Sequence, residues 1–480
     1  MQHSNLTQLT PKKRSLIFVN LVVSGLASST LATAMTTALP NLVADFGVST
    51  DIGQWVTSGY SLATGVVMPL TAFLITRFPT KRLYMAGIGS FLIGLLLSIF
   101  AGNFGVMMAG RVIQACGNGI LLSAAQVVIL TVYPPEKRGG MMGTYGLATT
   151  AAPIIAPTIA GLMIDAFGWR SIFYLVLGIM AVSFVLSAVV FENVLELQEK
   201  HFDFPSFVGS VFAFGGITLG VGNLSAFGLA SWQAGAPLVV GVVACVLFLV
   251  RQCRLTTPFL DVKILRNRDY AVSVVASMLL YLVMMGSSVM MPLYVQSVMG
   301  YSAVVSGLVT LPGSLATALV SPLAGRLYDR VGIRSLFIPG ALALLVSNLG
   351  MFFLTSHTPL WVAAVCNVVR NLAIGSLMMP LLTWGTSTVP AAKLADASSL
   401  LTSFRTIAGS IGSAVFVGIM TTVSAHAAAT YGDGALMHGM NLSFLGMAAG
   451  SLVLVGIALA AGRPHRAPAP QTEEAPASSH

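Results

Sequence analysis

Residues 83–102 read LYMAGIGSFLIGLLLSIFAG, twenty positions without a charged side chain. A helix needs roughly 20 apolar residues to cross the hydrocarbon of a bilayer. Runs of that kind, broken by short polar stretches, recur from end to end. They predict helical spans near 15–39, 52–75, 83–102, 105–132, 140–164, 171–190, 206–229 and 236–250, then 270–297, 303–325, 335–355, 359–387, 397–424 and 441–461. The short alternating segments of a transmembrane barrel are missing from the pattern. The chain is therefore expected to be an all-α membrane protein with fourteen spans. An even count puts both termini on one side.

Composition agrees: 56% of residues are hydrophobic, 8% are charged and mean hydropathy is +0.87. A soluble domain carries about 25% charged residues, so this chain could not cover itself in water. The net charge of +9 could suggest nucleic acid, but the basic residues sit in short clusters between apolar runs, as topology signals do. With a cytoplasmic N-terminus, twenty of the 24 Lys and Arg fall on the cytoplasmic side, Arg170 falls outside, and Arg111, Arg370 and Arg405 fall within spans. The bias sets the expected orientation, and the expected location is the cytoplasmic membrane, crossed many times. The first apolar stretch, after PKKR, is too long for a signal peptide and reads as an uncleaved span. Four cysteines in or beside apolar runs read as buried thiols rather than a disulfide framework.

The chain also echoes itself. AFLITRFPTKR (72–82), between spans two and three, parallels GRLYDRVGIR (325–334), between spans ten and eleven. Arg111 of GRVIQACGNG in span four likewise parallels Arg370 of VVRNLAIGS in span twelve. Transporter folds are often built from such repeats. An offset of eight spans implies two six-helix bundles separated by two linking helices. The expected parts are a cytoplasmic N-terminus (1–14), an N-terminal bundle (15–200), a two-helix insert (201–262), a C-terminal bundle (263–462) and a disordered cytoplasmic tail (463–480).

These motifs resemble the major facilitator superfamily, in particular its fourteen-span drug:proton antiporter branch. The likeness covers roughly residues 10–460. Gly325, Asp329, Arg330, Gly332 and Arg334 match the family's cytoplasmic loop motif, and Arg111 with Gln114 matches its fourth-span motif. APIIAPTIAG (152–161) is similar to the fifth-span antiporter motif, with Ala156 and Ala160 where glycines are usual. TAFLITRFPTKRL and GWRSIFYLVL look nearest to the lincomycin-efflux subgroup. Two departures stand out. The first-half loop has Thr76 and Pro79 in place of Asp and Gly, and Leu31 stands where the first-span motif normally embeds an Asp. The resemblance implies the major facilitator fold and proton-coupled export of drugs or small amphipathic compounds, with multidrug resistance as the setting.

The residues themselves suggest where such work would be done. Gly325 and Gly332 permit close approach and a tight turn, and Asp329 can accept hydrogen bonds from a helix N-terminus or pair with an arginine. The loop is then expected to act as a latch, with Arg77 and Arg82 in a degenerate first-half copy; the alternative is that Arg326, Arg330 and Arg334 are topology anchors only. An arginine within the bilayer costs at least about 2.5–3.5 kcal/mol and usually faces a cavity or a partner. Arg111, Arg370 and Arg405 are thus candidates for substrate or coupling roles, or for fixing the packing. None of the fifteen acids lies near a midplane. Asp51 at the outer mouth of span two is the first candidate for the coupling proton, although a carboxylate is favourable in a first turn anyway. Pro153 and Pro157 interrupt the Ala148, Ala152, Ala156, Ala160 stripe of span five, which suits either a rocking interface or tight packing. Cavity-lining candidates are Trp55, Tyr60, Gln114, Asn118, Gln126, Tyr281, Tyr294, Asn367, Asn371 and Trp384, with the adaptable methionines of MMGSSVMM (284–291).

No enzyme motif, metal cluster or cofactor-binding motif is found. The expected partners are a small molecule, protons and the lipid bilayer, with no nucleic acid, and the protein is expected to be a monomer. Export of an anionic or neutral metabolite is the second transport reading, because embedded arginines without embedded acids would suit an anion. A membrane-embedded sensor is the alternative from another class.

Overall fold

The computed structural model describes residues 10–461 except 49, 54, 196, 198–202, 228–230, 256–257, 259 and 302. The expected tail (463–480) lies outside them. Among the described residues there are helices and no strands, and fourteen helices are long. The first six are α1 (Pro11–Phe46), α2 (Trp55–Arg77), α3 (Thr80–Ile99), α4 (Phe104–Val132), α5 (Pro135–Phe167) and α6 (Arg170–Val190). A pair follows, α7 (Phe204–Phe227) and α8 (Trp232–Arg254). The last six are α9 (Arg268–Leu293), α10 (Ala303–Val331), α11 (Arg334–Phe352), α12 (Leu360–Ser387), α13 (Leu394–Tyr431) and α14 (Ala435–Ala460).

Twelve of these helices are long and apolar enough to cross a membrane, and counting α2, which bends by 49° between Met68 and Leu70, makes thirteen. The remaining one, α5, opens on Glu136, Lys137 and Arg138. Several helices outrun their apolar cores. The expected span 397–424 belongs to a helix reaching Tyr431, because AHAAAT (425–430) continues in strong helix formers after the hydrophobic run ends. Polar caps set the starts: the Asn103 side chain accepts from Val106 N at 2.9 Å, and that of Asn267 accepts from Asp269 and Tyr270 N, satisfying orphan amides of the first turn.

Helices α1–α6 pack largely among themselves, as do α9–α14, except that α5 packs most heavily on α10 across the halves; α7 and α8 pack on one another and α7 also touches α2 and α13. The α7–α8 contact is backbone-close, since a Cβ on Gly241 would lie 2.3 Å from Ile217 N. At one end of this pair Arg251 grips Asp203 with two bonds, of 2.8 and 3.0 Å, and its guanidinium holds that carboxyl below the usual range.

Polar ties define two faces. On the first, Lys81 Nζ bonds Ala188 O at 2.5 Å, Lys13 pairs with Glu192, Tyr133 Oη reaches Arg14 O at 3.4 Å, Asn267 bonds Thr388 O at 3.0 Å, and Lys393 bonds Asp261 at 2.6 Å. This basic face gathers most of the clustered Lys and Arg of the sequence. On the opposite face Arg170 bonds Asp45 at 2.9 Å and Ala101 O at 3.1 Å.

Candidate functional site

The loop GRLYDRVGIR is largely helical: α10 runs through Val331 and stops at Gly332, whose φ of +77° is in the left-handed region. This places Gly325 and Asp329 on the last turns of α10, against the start of α5. Both carboxylate oxygens of Asp329 accept backbone N–H bonds across the two halves, from Gly139 and Gly140, each at 2.7 Å. The helices touch backbone to backbone here. A Cβ on Gly325 would lie 2.0 Å from Gly139 O, and one on Gly143 would lie 2.4 Å from Ser321 O. Arg330 and Arg334 stand exposed beside this seam.

The first-half copy is built differently. Thr76 is buried, and its hydroxyl turns back onto its own helix, to Phe73 O at 2.9 Å. No carboxylate can therefore reach α13 from that position. A cavity of ≈ 250 Å³ lies there instead, lined by Thr76, Thr131, Arg138 and Leu394 among others. Arg77 and Arg82 are exposed. Deeper in, Gln126 Oε1 of α4 accepts from Ser398 at 3.0 Å and Thr402 at 3.2 Å of α13. These cross-half bonds, like the Asp329 pair, lie in the half of the molecule next to the basic face.

Arg111 is fully buried. Its Nε donates to Val56 O at 3.0 Å, Nη1 to Gln114 Oε1 at 2.7 Å, and the Tyr60 ring lies 4.0 Å below it. Gln114 is held in turn by Ser98 at 2.9 Å. Tyr60 and Gln114 thus serve as supports for this cation, which bolts α2 to α4. Replacing Arg111 by Ala should cost about 3 kcal/mol in bonds to a charged group and ring contact. Thermal unfolding of the purified protein would show this as a drop of several degrees, and an unchanged midpoint would contradict it.

Arg370 is also buried, at 2% exposure. Its Nη2 donates to Asn367 Oδ1 at 2.5 Å and Nη1 to Met351 Sδ at 3.1 Å. Asn371 Nδ2 bonds Asn367 O at 2.8 Å and its Oδ1 accepts from Thr317 at 3.1 Å. Asn367 meets both Arg370 and Asn371 because it lies three and four positions from them. They border a cavity of ≈ 250 Å³ between α9, α10 and α12, which also takes in Met284, Ser287, Ser288, Met291 and Thr310.

Arg405 of α13 sits 4.8 Å over the Tyr281 ring of α9. Tyr294 bonds Thr355 O at 3.0 Å and Trp384 packs on Phe337 at 6.5 Å, so neither lines the Arg370 cavity. Asn118 is buried in α4 and Trp55 is 39% exposed at the start of α2. Leu31 is fully buried in α1, and the Ala148, Ala152, Ala156, Ala160 stripe is buried along α5. Asp51 lies on a short helical turn, Thr50–Gly53; its side chain, like those of Pro153 and Pro157, falls outside the described residues. Sequence reasoning missed Gly139, Gly140, Gly143, Ser398 and Thr402. The small-residue spacing of GGMMG (139–143) was the available signal for the first three.

The sequence profile described as Major Facilitator Superfamily matches residues 17–413. The chain belongs to this superfamily. Its relatives among the major facilitators include the uncharacterized MFS-type transporter YcnB of Bacillus subtilis (strain 168), 35% identical over 449 residues, 94% of this chain and 95% of the relative. The lincomycin resistance protein LmrB of the same organism is 30% identical over 407 residues, covering 84% and 85%. The crystal structure of the human organic anion transporter MFSD10 superposes with a TM-score of 0.65 at 12% identity, covering 94% of this chain and 100% of that one. At that identity the likeness shows the fold: an all-helical major facilitator architecture in a multi-pass membrane protein.

Proposed function

We propose that this major facilitator exports small amphipathic compounds across the cytoplasmic membrane by alternating access, driven by the proton gradient. In this reading the chain crosses the membrane fourteen times with both ends in the cytoplasm. Bundles 15–200 and 263–462 rock about a shared cleft, and the insert 201–262 packs at their flank. The basic face is cytoplasmic, as the side richer in Lys and Arg generally is.

The observation that carries the reading is the seam between α5 and α10. A carboxylate holding two amides of the opposite half, over glycines in backbone contact, is a strong and breakable closure. It seals the basic face, while a polar cavity with an embedded cation lies toward the other end. Two discrete arrangements of such a contact are what alternating access requires. The relationship to lincomycin resistance proteins supports export of drug-like compounds, and the adaptable methionines of α9 suit varied shapes. The test is purified protein in vesicles with an imposed pH gradient and a panel of cationic, neutral and anionic compounds. Gradient-dependent accumulation that an uncoupler collapses is expected. Equal accumulation with and without the gradient would refute proton coupling, and no movement of any compound would refute transport.

A further inference from the structure

The structure assigns Arg370 as the docking point for the anionic headgroup, a carboxylate or an equivalent, of an amphipathic organic substrate. This deepens the transport reading above and rests on it. The guanidinium lines a ≈ 250 Å³ cavity and is buried to 2% exposure. Its engaged donors meet only a neutral amide oxygen and a thioether, and Nε has no partner among the described residues. A thioether is a weak acceptor. An embedded arginine ordinarily has a countercharge or a water-filled space, and no salt bridge to Arg370 occurs among the described residues.

The rest of the lining is uncharged. The Ser287 hydroxyl donates to Met284 O at 2.8 Å, Ser288 to Met285 O at 2.8 Å and Thr310 to Gly307 O at 3.0 Å. Those three donors are spent on their own helices; Ser314 also lines the cavity and adds a neutral hydroxyl, and the guanidinium is the charged centre of the lining, able to receive an anion bidentately if the headgroup is planar. Asn367 of the same helix holds the guanidinium through Nη2, and Asn371 holds Asn367 in turn. Met284, Met291 and Ile374 form an apolar wall beside it, so the ligand that satisfies both has a charged head and a short greasy body.

The test is calorimetric titration of the purified full-length protein, in low salt, with hexanoate, octanoate and 4-phenylbutyrate, each against its primary amide. At least one carboxylate should bind about tenfold or more tighter than its amide, the range of a hydrogen bond to a charged group. Arg370→Gln should bring that carboxylate down to the amide's level. Thr310→Trp, which fills the cavity and leaves the guanidinium in place, should weaken both probes, and it gives a reading even where Arg370→Gln yields no folded protein. Three results would overturn the assignment: no carboxylate preferred over its amide, a preference that survives Arg370→Gln, or Thr310→Trp binding like the wild type. Sodium chloride displacing the carboxylate as tightly as the carboxylate itself binds would also overturn it, in favour of a small inorganic anion. Binding is read without a gradient, so vesicles that fail to transport leave it standing. Failed binding, in turn, leaves gradient-driven movement of other compounds standing.

Discussion

Gly325→Val is expected to abolish transport in vesicles while leaving the protein folded. Even a single Cβ at this position would lie 2.0 Å from Gly139 O, with Gly140 Cα 3.2 Å away. Both neighbours are backbone, so no rotamer change relieves the clash and the two helices must part. Overpacking costs about 1–3 kcal/mol, and parting also gives up the Asp329 bonds. A combined bias of about 3 kcal/mol against the closed basic face corresponds to roughly a 150-fold shift in the equilibrium. The internal packing of each half is untouched, so thermal unfolding should move little. Transport near the wild-type rate would show that this contact is not part of the cycle.

Asp329→Asn makes the second large change, and it does so without adding bulk. The carboxylate accepts from Gly139 and Gly140 with one oxygen each. An amide of the same shape can accept only one of these bonds and turns its NH2 toward the other N–H. The loss is about 2 kcal/mol, near a thirtyfold shift away from the closed face. Hydrogen exchange at the Gly139 and Gly140 amides should quicken by a comparable factor, and transport should slow. Asp329→Glu should restore neither, since an extra methylene has no room in a seam this tight. Unchanged exchange at both amides would contradict the latch.

Much of the architecture was legible because the bilayer imposes it. A run such as LYMAGIGSFLIGLLLSIFAG has few alternatives to a helix, and α3 (Thr80–Ile99) falls within a few residues of the expected 83–102. Helix ends were less legible. They depend on caps and propensity beyond the apolar run, and α13 therefore ends at Tyr431 rather than near 424. Contacts within one helix could be read from spacing: Arg111 with Gln114, Asn367 with Arg370, and Asn367 with Asn371 are three or four apart. Contacts between helices could not. Nothing in the local sequence says that Asp329 meets Gly139 and Gly140, or that Gln126 meets Ser398, because those pairs are 189 or more residues apart. As polar groups in apolar spans, Tyr60 and Gln114 read from the sequence as cavity-lining. They face Arg111, since a buried cation draws in the nearest acceptors and the nearest ring.

The central claim is that the α5–α10 seam closes and opens in alternation with the opposite face. Spin labels at Lys137 and Arg330, both exposed, report the seam; a second pair at Phe167, the last residue of α5, and Tyr301, two residues before α10, both exposed, reports the opposite ends. Distances measured in lipid by double electron–electron resonance, at acid and alkaline pH and with a transported compound added, should show two populations for each pair. As the first pair lengthens, the second should shorten. A single short, invariant distance between positions 137 and 330 under every condition would contradict the account.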